Sequence, residues 1–280
     1  MRSNRFVSFS VSLLASCVFA TLASAATIDQ FPADSTMAKI HQRGKLVVGS
    51  SLNTLMFSSR NPLTGDVEGF EADLARMLAK QLTGSEDNIE WVSTTPENRI
   101  PLVENKRVDL VIATMTVTDE RKQVIGFAGP YYLAGQDSLV RINDHSINKT
   151  ADLDGKTVCV LSGTTVERNL KPLAPNAKIV TFSDASACVE GLIDKRFDAY
   201  VDDGATLVGE SMRQPGKLRV VGTPFTEEPY GIAVAKEDKA WRGWINNQLG
   251  AAIQSGKWQE MYGKDLEAGL GAPQVPVIEQ

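Results

Sequence analysis

Apolar residues along this chain recur with two periods, and the elements change where the period changes. Short continuous apolar runs bounded by turn residues predict buried strands at Lys45–Ser50, Ile89–Val92, Val108–Ala113, Lys156–Leu161, Lys178–Phe182 and Arg196–Asp202. Between the first two, Glu71–Leu82 places Leu74, Met77, Leu78 and Leu82 three and four residues apart, which predicts an amphipathic helix. Further helices are expected around Arg99–Asn105, from Gly163 to Leu170 and over Ala185–Asp194. Asn61–Phe70 reads as a hairpin turned by Pro62 and Gly65. The order strand, helix, strand, helix, strand therefore occurs twice. Short echoes accompany it: LysLeuValValGlySer against LysThrValCysValLeuSer, and ArgValAspLeuValIle against ArgPheAspAlaTyrVal. Such a series predicts two α/β units of similar design. A third block begins with a turn into a strand at Glu228–Val234. A helix over Trp241–Tyr262 follows, with Trp244, Ile245, Leu249, Ala252, Ile253, Trp258 and Met261 near one face. The tail from Gly269, with Pro273 and Pro276, is expected to fray.

The composition is that of an ordinary globular chain: of 280 residues, 42% are apolar and 22% charged. The formal charge of −5 offers no basic surface for a nucleic acid, so none is expected as a partner. The amino terminus reads as a targeting segment. Arg2 and Arg5 precede an uncharged stretch from Phe6 to Ile28, and AlaSerAla at 23–25 fits a signal-peptidase site, which assigns residues 1–25 to a signal peptide. LeuAlaSerCys at 14–17 also fits a lipoprotein signal, so lipid anchoring at Cys17 is the alternative. The residues after Cys17 stay apolar, where a lipid-anchored chain would begin a polar tether. The mature chain would thus be exported, with a periplasmic location expected. It keeps Cys159 and Cys188, which in an oxidising compartment read as a disulfide; two buried thiols are the other possibility. With no histidine or cysteine cluster nearby, neither a metal nor a cofactor is expected.

The richest candidate chemistry is ThrMetThrValThrAspGluArg at 114–121, which follows the strand at Val108–Ala113. Hydroxyls and main-chain amides at a strand end, with an arginine just beyond, suit a small carboxylate, which a guanidinium grips through two parallel hydrogen bonds. The same residues also make a helix start, with Thr118 as its cap and Asp119 and Glu120 in the first turn. SerGlyThrThr at 162–165 offers free amides at a second helix start. Asp202 and Asp203 close a third strand. Strand ends in open α/β sheets point into a common crevice, so these three segments are expected to meet. A carboxylate facing an arginine and a helix amino terminus is what a receptor for a zwitterion needs.

In this order, and over about Ile40 to Tyr262, the chain resembles the polar amino-acid-binding proteins of bacterial ABC importers, solute-binding protein family 3. The resemblance rests on GlyPheGluAlaAspLeuAla (69–75), AsnArgIleProLeuValGluAsn (98–105) running through to Arg121, PheAlaGlyProTyrTyr (127–132), GlyLysThrValCysValLeuSerGlyThrThr (155–165), AspAlaTyrValAspAsp (198–203) and GluProTyrGlyIle (228–232). It implies an α/β, two-lobe, type II periplasmic-binding-protein-like fold. Lobe 1 would take 26–133 plus 230–280 and lobe 2 would take 134–229, joined by a two-crossing hinge near Leu133–Leu139 and Phe225–Tyr230. Within that resemblance Arg121 corresponds to the arginine for the ligand α-carboxylate, with Thr116 and Thr165 as its partners. Thr114, through its carbonyl, and Asp203 correspond to acceptors for the α-ammonium. Arg99 corresponds to an arginine that the glutamate/aspartate-binding branch uses for a side-chain carboxylate. Phe57 is a candidate apolar wall over the ligand, with a place in the core as the alternative. The paired cysteines also resemble a glutamate-binding subgroup.

The implied function is capture of an acidic amino acid, glutamate or aspartate, by hinge closure. Delivery to the membrane subunits of an ABC permease would follow, with the binding protein acting as a monomer and no reaction catalysed. Glutamine or asparagine is the alternative ligand class. The chain departs from the pattern at Ser51 and around Ala185, where some acidic-ligand members carry a further arginine and a histidine, and at Glu71, where aspartate is common. The enzyme alternative is a dehydratase of the cyclohexadienyl type on the same fold, working through Glu71 or Asp203. Hydrolase chemistry is poorly supplied, since the only histidines are His41 and His145 and no GlyXSerXGly elbow occurs.

Overall fold

The computed structural model describes residues 31–278. The signal-peptide assignment and the lipid-anchor alternative at Cys17 fall outside them. Among the described residues thirteen strands are present: β1 Leu46–Ser50, β2 Asn53–Thr54, β3 Ser58–Arg60, β4 Val67–Glu68, β5 Ile89–Ser93, β6 Leu110–Val111, β7 Ile125–Ala134, β8 Gln136–Arg141, β9 Thr157–Leu161, β10 Lys178–Phe182, β11 Ala199–Asp203, β12 Leu218–Val220 and β13 Glu228–Ala235. The helices are α1 Thr36–Arg43, α2 Phe70–Thr83, α3 Arg99–Glu104, α4 Asp119–Lys122, α5 Val166–Leu170, α6 Ala185–Ile193, α7 Gly204–Arg213, α8 Lys239–Gln254, α9 Lys257–Asp265 and α10 Glu267–Leu270.

Two five-stranded sheets share one plan. The first runs β5-β1-β6-β13-β7 and the second β10-β9-β11-β8-β12. In each, three parallel strands stand with the first in sequence between the other two, and an antiparallel strand flanks them. The third sheet is the small hairpin unit β2-β3-β4. Both large sheets are covered on both faces, which is why their central strands are apolar without alternation.

Helix α2 buries Leu74, Leu78 and Leu82 as their spacing requires, and Gly84 ends it at φ 83°. The helix expected over Trp241–Tyr262 is two helices. Gly256 at φ 79° breaks it, which an L side chain would resist. Trp241 and Trp258 still face the first sheet, and their indole N–H groups donate to the carbonyls of Asp109 and Tyr131 at 3.0 and 2.9 Å. The strand expected over Val108–Ala113 narrows to Leu110–Val111. Cys159 and Cys188 are joined, tying β9 to α6.

The chain leaves the first sheet after Ala134 and returns to it at Glu228. The two crossings run side by side. Gln136 N–H donates to Thr226 Oγ1 at 2.9 Å and Phe225 N–H to the Gln136 carbonyl at 3.0 Å. Gly135 sits so close to the partner crossing that a Cβ there would lie 2.6 Å from the Thr226 carbonyl oxygen.

Candidate functional site

The carboxyl ends of β1, β6, β9 and β11 open onto one cavity of about 80 Å³ between the two sheets. That is where strand order reverses in each sheet, so loops diverge and leave a crevice. Its lining includes Thr114, Thr116, Arg121, Arg99, Thr165 and Asp203. The structure thus brings together six of the seven ligand-binding residues expected from the sequence. Phe57 is the exception. It is fully buried in the core, its ring edge-on to Tyr132 and Tyr230, and it is not in the cavity wall. An apolar side chain at a strand end satisfies a core position as well as a wall, and here the core holds it.

Thr118 caps α4 by accepting the Arg121 N–H at 3.2 Å, as the helix-start reading of this segment expects. The four-residue helix turns Arg121 back into the cavity. Its Nη1 donates to the Thr116 carbonyl at 2.7 Å and its Nη2 to the Gly163 carbonyl at 3.0 Å. Gly163 belongs to the facing lobe, so this guanidinium spans the cleft. Other contacts also cross: Arg168 pairs with Glu120 at 2.9 Å and Asn53 donates to Asp184 at 3.1 Å. The Tyr230 hydroxyl donates to Asp203 at 2.6 Å. This is a closed arrangement.

Opposite Arg121, β11 delivers two adjacent carboxylates. Tyr200 donates to Asp202 at 2.6 Å. Burial raises both carboxyl groups above the usual range, and for Asp203 the charge of Asp202 raises it further. Burial likewise pulls the Arg121 guanidinium down to about 9, helped by the neighbouring charge of Arg99. Arg99 itself, 5% exposed, is lowered by burial, and the Asp203 charge opposes this. Its Nη1 donates to the Ala113 carbonyl at 2.7 Å, while its Nε finds no acceptor among the described residues. Thr165 Oγ1 accepts from Gln136 Nε2 at 2.7 Å and donates to Glu228 at 3.0 Å.

Sequence reading missed part of the wall. Asn53, Thr94, Ser183, Asp184, Thr206 and Glu210 also line the cavity. Of these, Asp184 carried a signal, since it caps α6 by accepting the Ser186 N–H at 2.7 Å. Glu210 lies mid-helix in α7, and only the packing of α7 against the small hairpin unit reveals its direction. The arrangement offers two guanidiniums, several hydroxyls and four carboxylates to a small zwitterion. Among the described residues no group of three or more His, Cys, Asp or Glu could hold a metal, and no helix is long and apolar enough to cross a membrane.

The chain is 39% identical over 214 residues to the glutamine-binding protein of Geobacillus stearothermophilus, covering 76% of this chain and 81% of that one. It is 30% identical over 261 residues to the glutamate-binding protein GluB of Corynebacterium efficiens, covering 89% and 87%. Among solved structures, the solute receptor for L-cysteine of Neisseria gonorrhoeae superposes with a TM-score of 0.79 at 29% identity, covering 85% and 96%. This is the type II periplasmic-binding-protein architecture expected from the sequence. The family model for bacterial extracellular solute-binding proteins, family 3, matches residues 46–267, and the chain belongs to that family.

Proposed function

We propose that this protein is the solute-capturing component of an ABC amino-acid importer, that it works outside the cytoplasmic membrane, and that its ligand is glutamine. The lobes, 26–133 with 230–280 and 134–229, close on the ligand and present the closed form to a membrane permease. Arg121 takes the α-carboxylate with Thr116 and Thr165; Asp203 and the Thr114 carbonyl take the ammonium.

The observation that carries the ligand class is the charge balance of the cavity. Two guanidiniums, Arg99 and Arg121, and four carboxylates, Asp184, Asp202, Asp203 and Glu210, line it, and Glu210 is already paired with Arg213 at 3.0 Å. A zwitterion engages Arg121 and Asp203 and leaves Arg99 facing the charge of Asp202. A side-chain carboxylate there would lie beside Asp202, and like charges in a partly dry site repel by several kcal/mol. A carboxamide supplies both an acceptor for Arg99 and donors for Asp202. Two relatives with similarity over most of the chain, from Geobacillus stearothermophilus and Bacillus subtilis, are named glutamine-binding proteins. Glutamate is the second reading, favoured by the Arg99 Nε that lacks an acceptor.

Calorimetric titration with the twenty amino acids tests the proposal. L-Glutamine should bind most tightly, with L-glutamate about tenfold weaker or more, which corresponds to about 1.4 kcal/mol. Tighter binding of glutamate would reverse the assignment, and binding of no amino acid would remove the function.

A further inference from the structure

One buried carboxylate lies under the cavity and takes no part in the ligand contacts proposed above. Glu71, in the first turn of α2, is fully buried. Its Oε1 accepts the Thr114 N–H at 2.6 Å and the Tyr131 hydroxyl, while its Oε2 meets no donor among the described residues. Thr114 has φ +42°, a left-handed backbone that a β-branched residue adopts only where its surroundings hold it.

The peptide joining Ala113 and Thr114 is planar, so its N–H and its carbonyl point in opposite directions. The N–H is taken by Glu71 and the carbonyl by Arg99 Nη1 at 2.7 Å. A carboxylate and a guanidinium therefore grip one peptide plane from its two sides. The grip fixes the left-handed turn at Thr114, and with it the direction of the next carbonyl. It also anchors Arg99 in the cavity wall.

We infer that Glu71 is the positioning residue of the ligand cavity. Acting through the 113–114 peptide, it sets the Thr114 carbonyl and Arg99, so that affinity follows its state of charge. This inference rests on the ligand contacts proposed above. Ionised Glu71 accepts the amide more strongly, polarises the peptide and strengthens the Arg99 contact at its far end. The titratable groups that face it are Tyr131 of β7 and Arg99 of α3. Burial raises its carboxyl to about 7, opposed by the bonds from Tyr131 and Thr114 and by the charge of Arg99. The transition thus falls near neutral pH, and affinity rises as pH rises through it.

Two readouts decide the matter. The first is the Thr114 amide resonance of the ligand-free protein, followed by NMR from pH 5.5 to 8.5. It should titrate with one midpoint near 7 in the wild type and stay flat in Glu71→Gln. The second is the affinity for L-glutamine over the same range. It should rise about threefold to tenfold with pH in the wild type, since one linked proton allows at most tenfold per pH unit. Glu71→Gln, which keeps the acceptor oxygen, should lose the step near pH 7 and keep only the pH dependence that Asp202, Asp203 and Arg121 contribute. Glu71→Asp keeps the charge but falls short of the amide, and should bind at least tenfold more weakly at every pH. A wild-type pH profile in Glu71→Gln, full affinity in Glu71→Asp, or a Thr114 amide insensitive to pH in the wild type would each overturn the inference. Failure of L-glutamine to bind the wild type at any pH would instead remove the ligand assignment, and the NMR titration would still decide whether Glu71 governs the peptide.

Discussion

Replacing Arg121 by alanine should separate binding from folding. In the closed cavity the guanidinium is 9% exposed and lowered to about 9. That depression corresponds to about 5 kcal/mol against its charged form. Two bonds to main-chain carbonyls oppose it, at 2.7 and 3.0 Å. A hydrogen bond to a charged group contributes about 1.5–3 kcal/mol, so the sum lies close to zero. The ligand-free variant should therefore melt within about 3 °C of the wild type, the shift expected for about 1 kcal/mol in a domain of this size. Binding should respond differently. Truncating one member of a desolvated charge pair costs about 2–5 kcal/mol, or about 30- to 5,000-fold in Kd. Titration calorimetry with L-glutamine and differential scanning calorimetry without it give the two numbers. Affinity within threefold of the wild type would refute the assignment of Arg121 to the ligand carboxylate. Lost binding together with a melting temperature lowered by ten degrees would show that the residue serves folding.

Gly163 has φ +80°, and a Cβ there would lie 2.9 Å from the Pro96 carbonyl across the cleft. Gly163→Ala should therefore weaken ligand binding about tenfold, since overpacking costs about 1–3 kcal/mol and this clash exists only when the cleft is shut; unchanged affinity would mean that the lobes do not approach this closely when ligand is bound. Reducing the Cys159–Cys188 bond, which closes a separation of 29 residues, should lower stability by about 3–4 kcal/mol in urea unfolding. A loss below 1 kcal/mol would show that the bond does not restrict the unfolded chain as the loop-entropy account requires. Glu71 has a folded pKa raised to about 7, so its contribution to stability is present below about 4.5 and lost as pH rises through 7. Glu71→Gln should accordingly be more stable than the wild type at pH 8, by up to about 3 kcal/mol, with the gap closing toward pH 4. Denaturation curves at the two pH values would expose an error if the gap were constant.

Much of this architecture was legible because its physics is local. The strand at Lys45–Ser50 and the helix at Glu71–Leu82 declare themselves by period, and Gly84 marks the end of the latter. Arg121 was legible because its neighbours are: the hydroxyl at 118 and the acids at 119 and 120 make a helix start, and helix starts attract anions. The break at Gly256 was missed because the apolar face continues across it, so that periodicity hides the left-handed turn. Phe57 was misplaced because an aromatic residue at a strand end fits a wall and a core equally well. The Glu71 clamp could not be read, since Tyr131 lies 60 residues from Glu71 and Thr114 lies 43 away. The charge balance of the cavity was equally hidden. Asp184 and Glu210 come from two different elements, and nothing in their spacing says that both line one cavity.

The two crossings between the sheets are bonded to each other, with Phe225 held to Gln136 and Gly135 pressed against Thr226. Neither link can bend without carrying the other. A laced pair of this kind behaves as an axle: the halves can swing apart, but sliding one past the other would tear the ladder. If the lobes close on a ligand as proposed, capture would run along a single angular coordinate, and a solute would be judged by how far it allows that angle to shut.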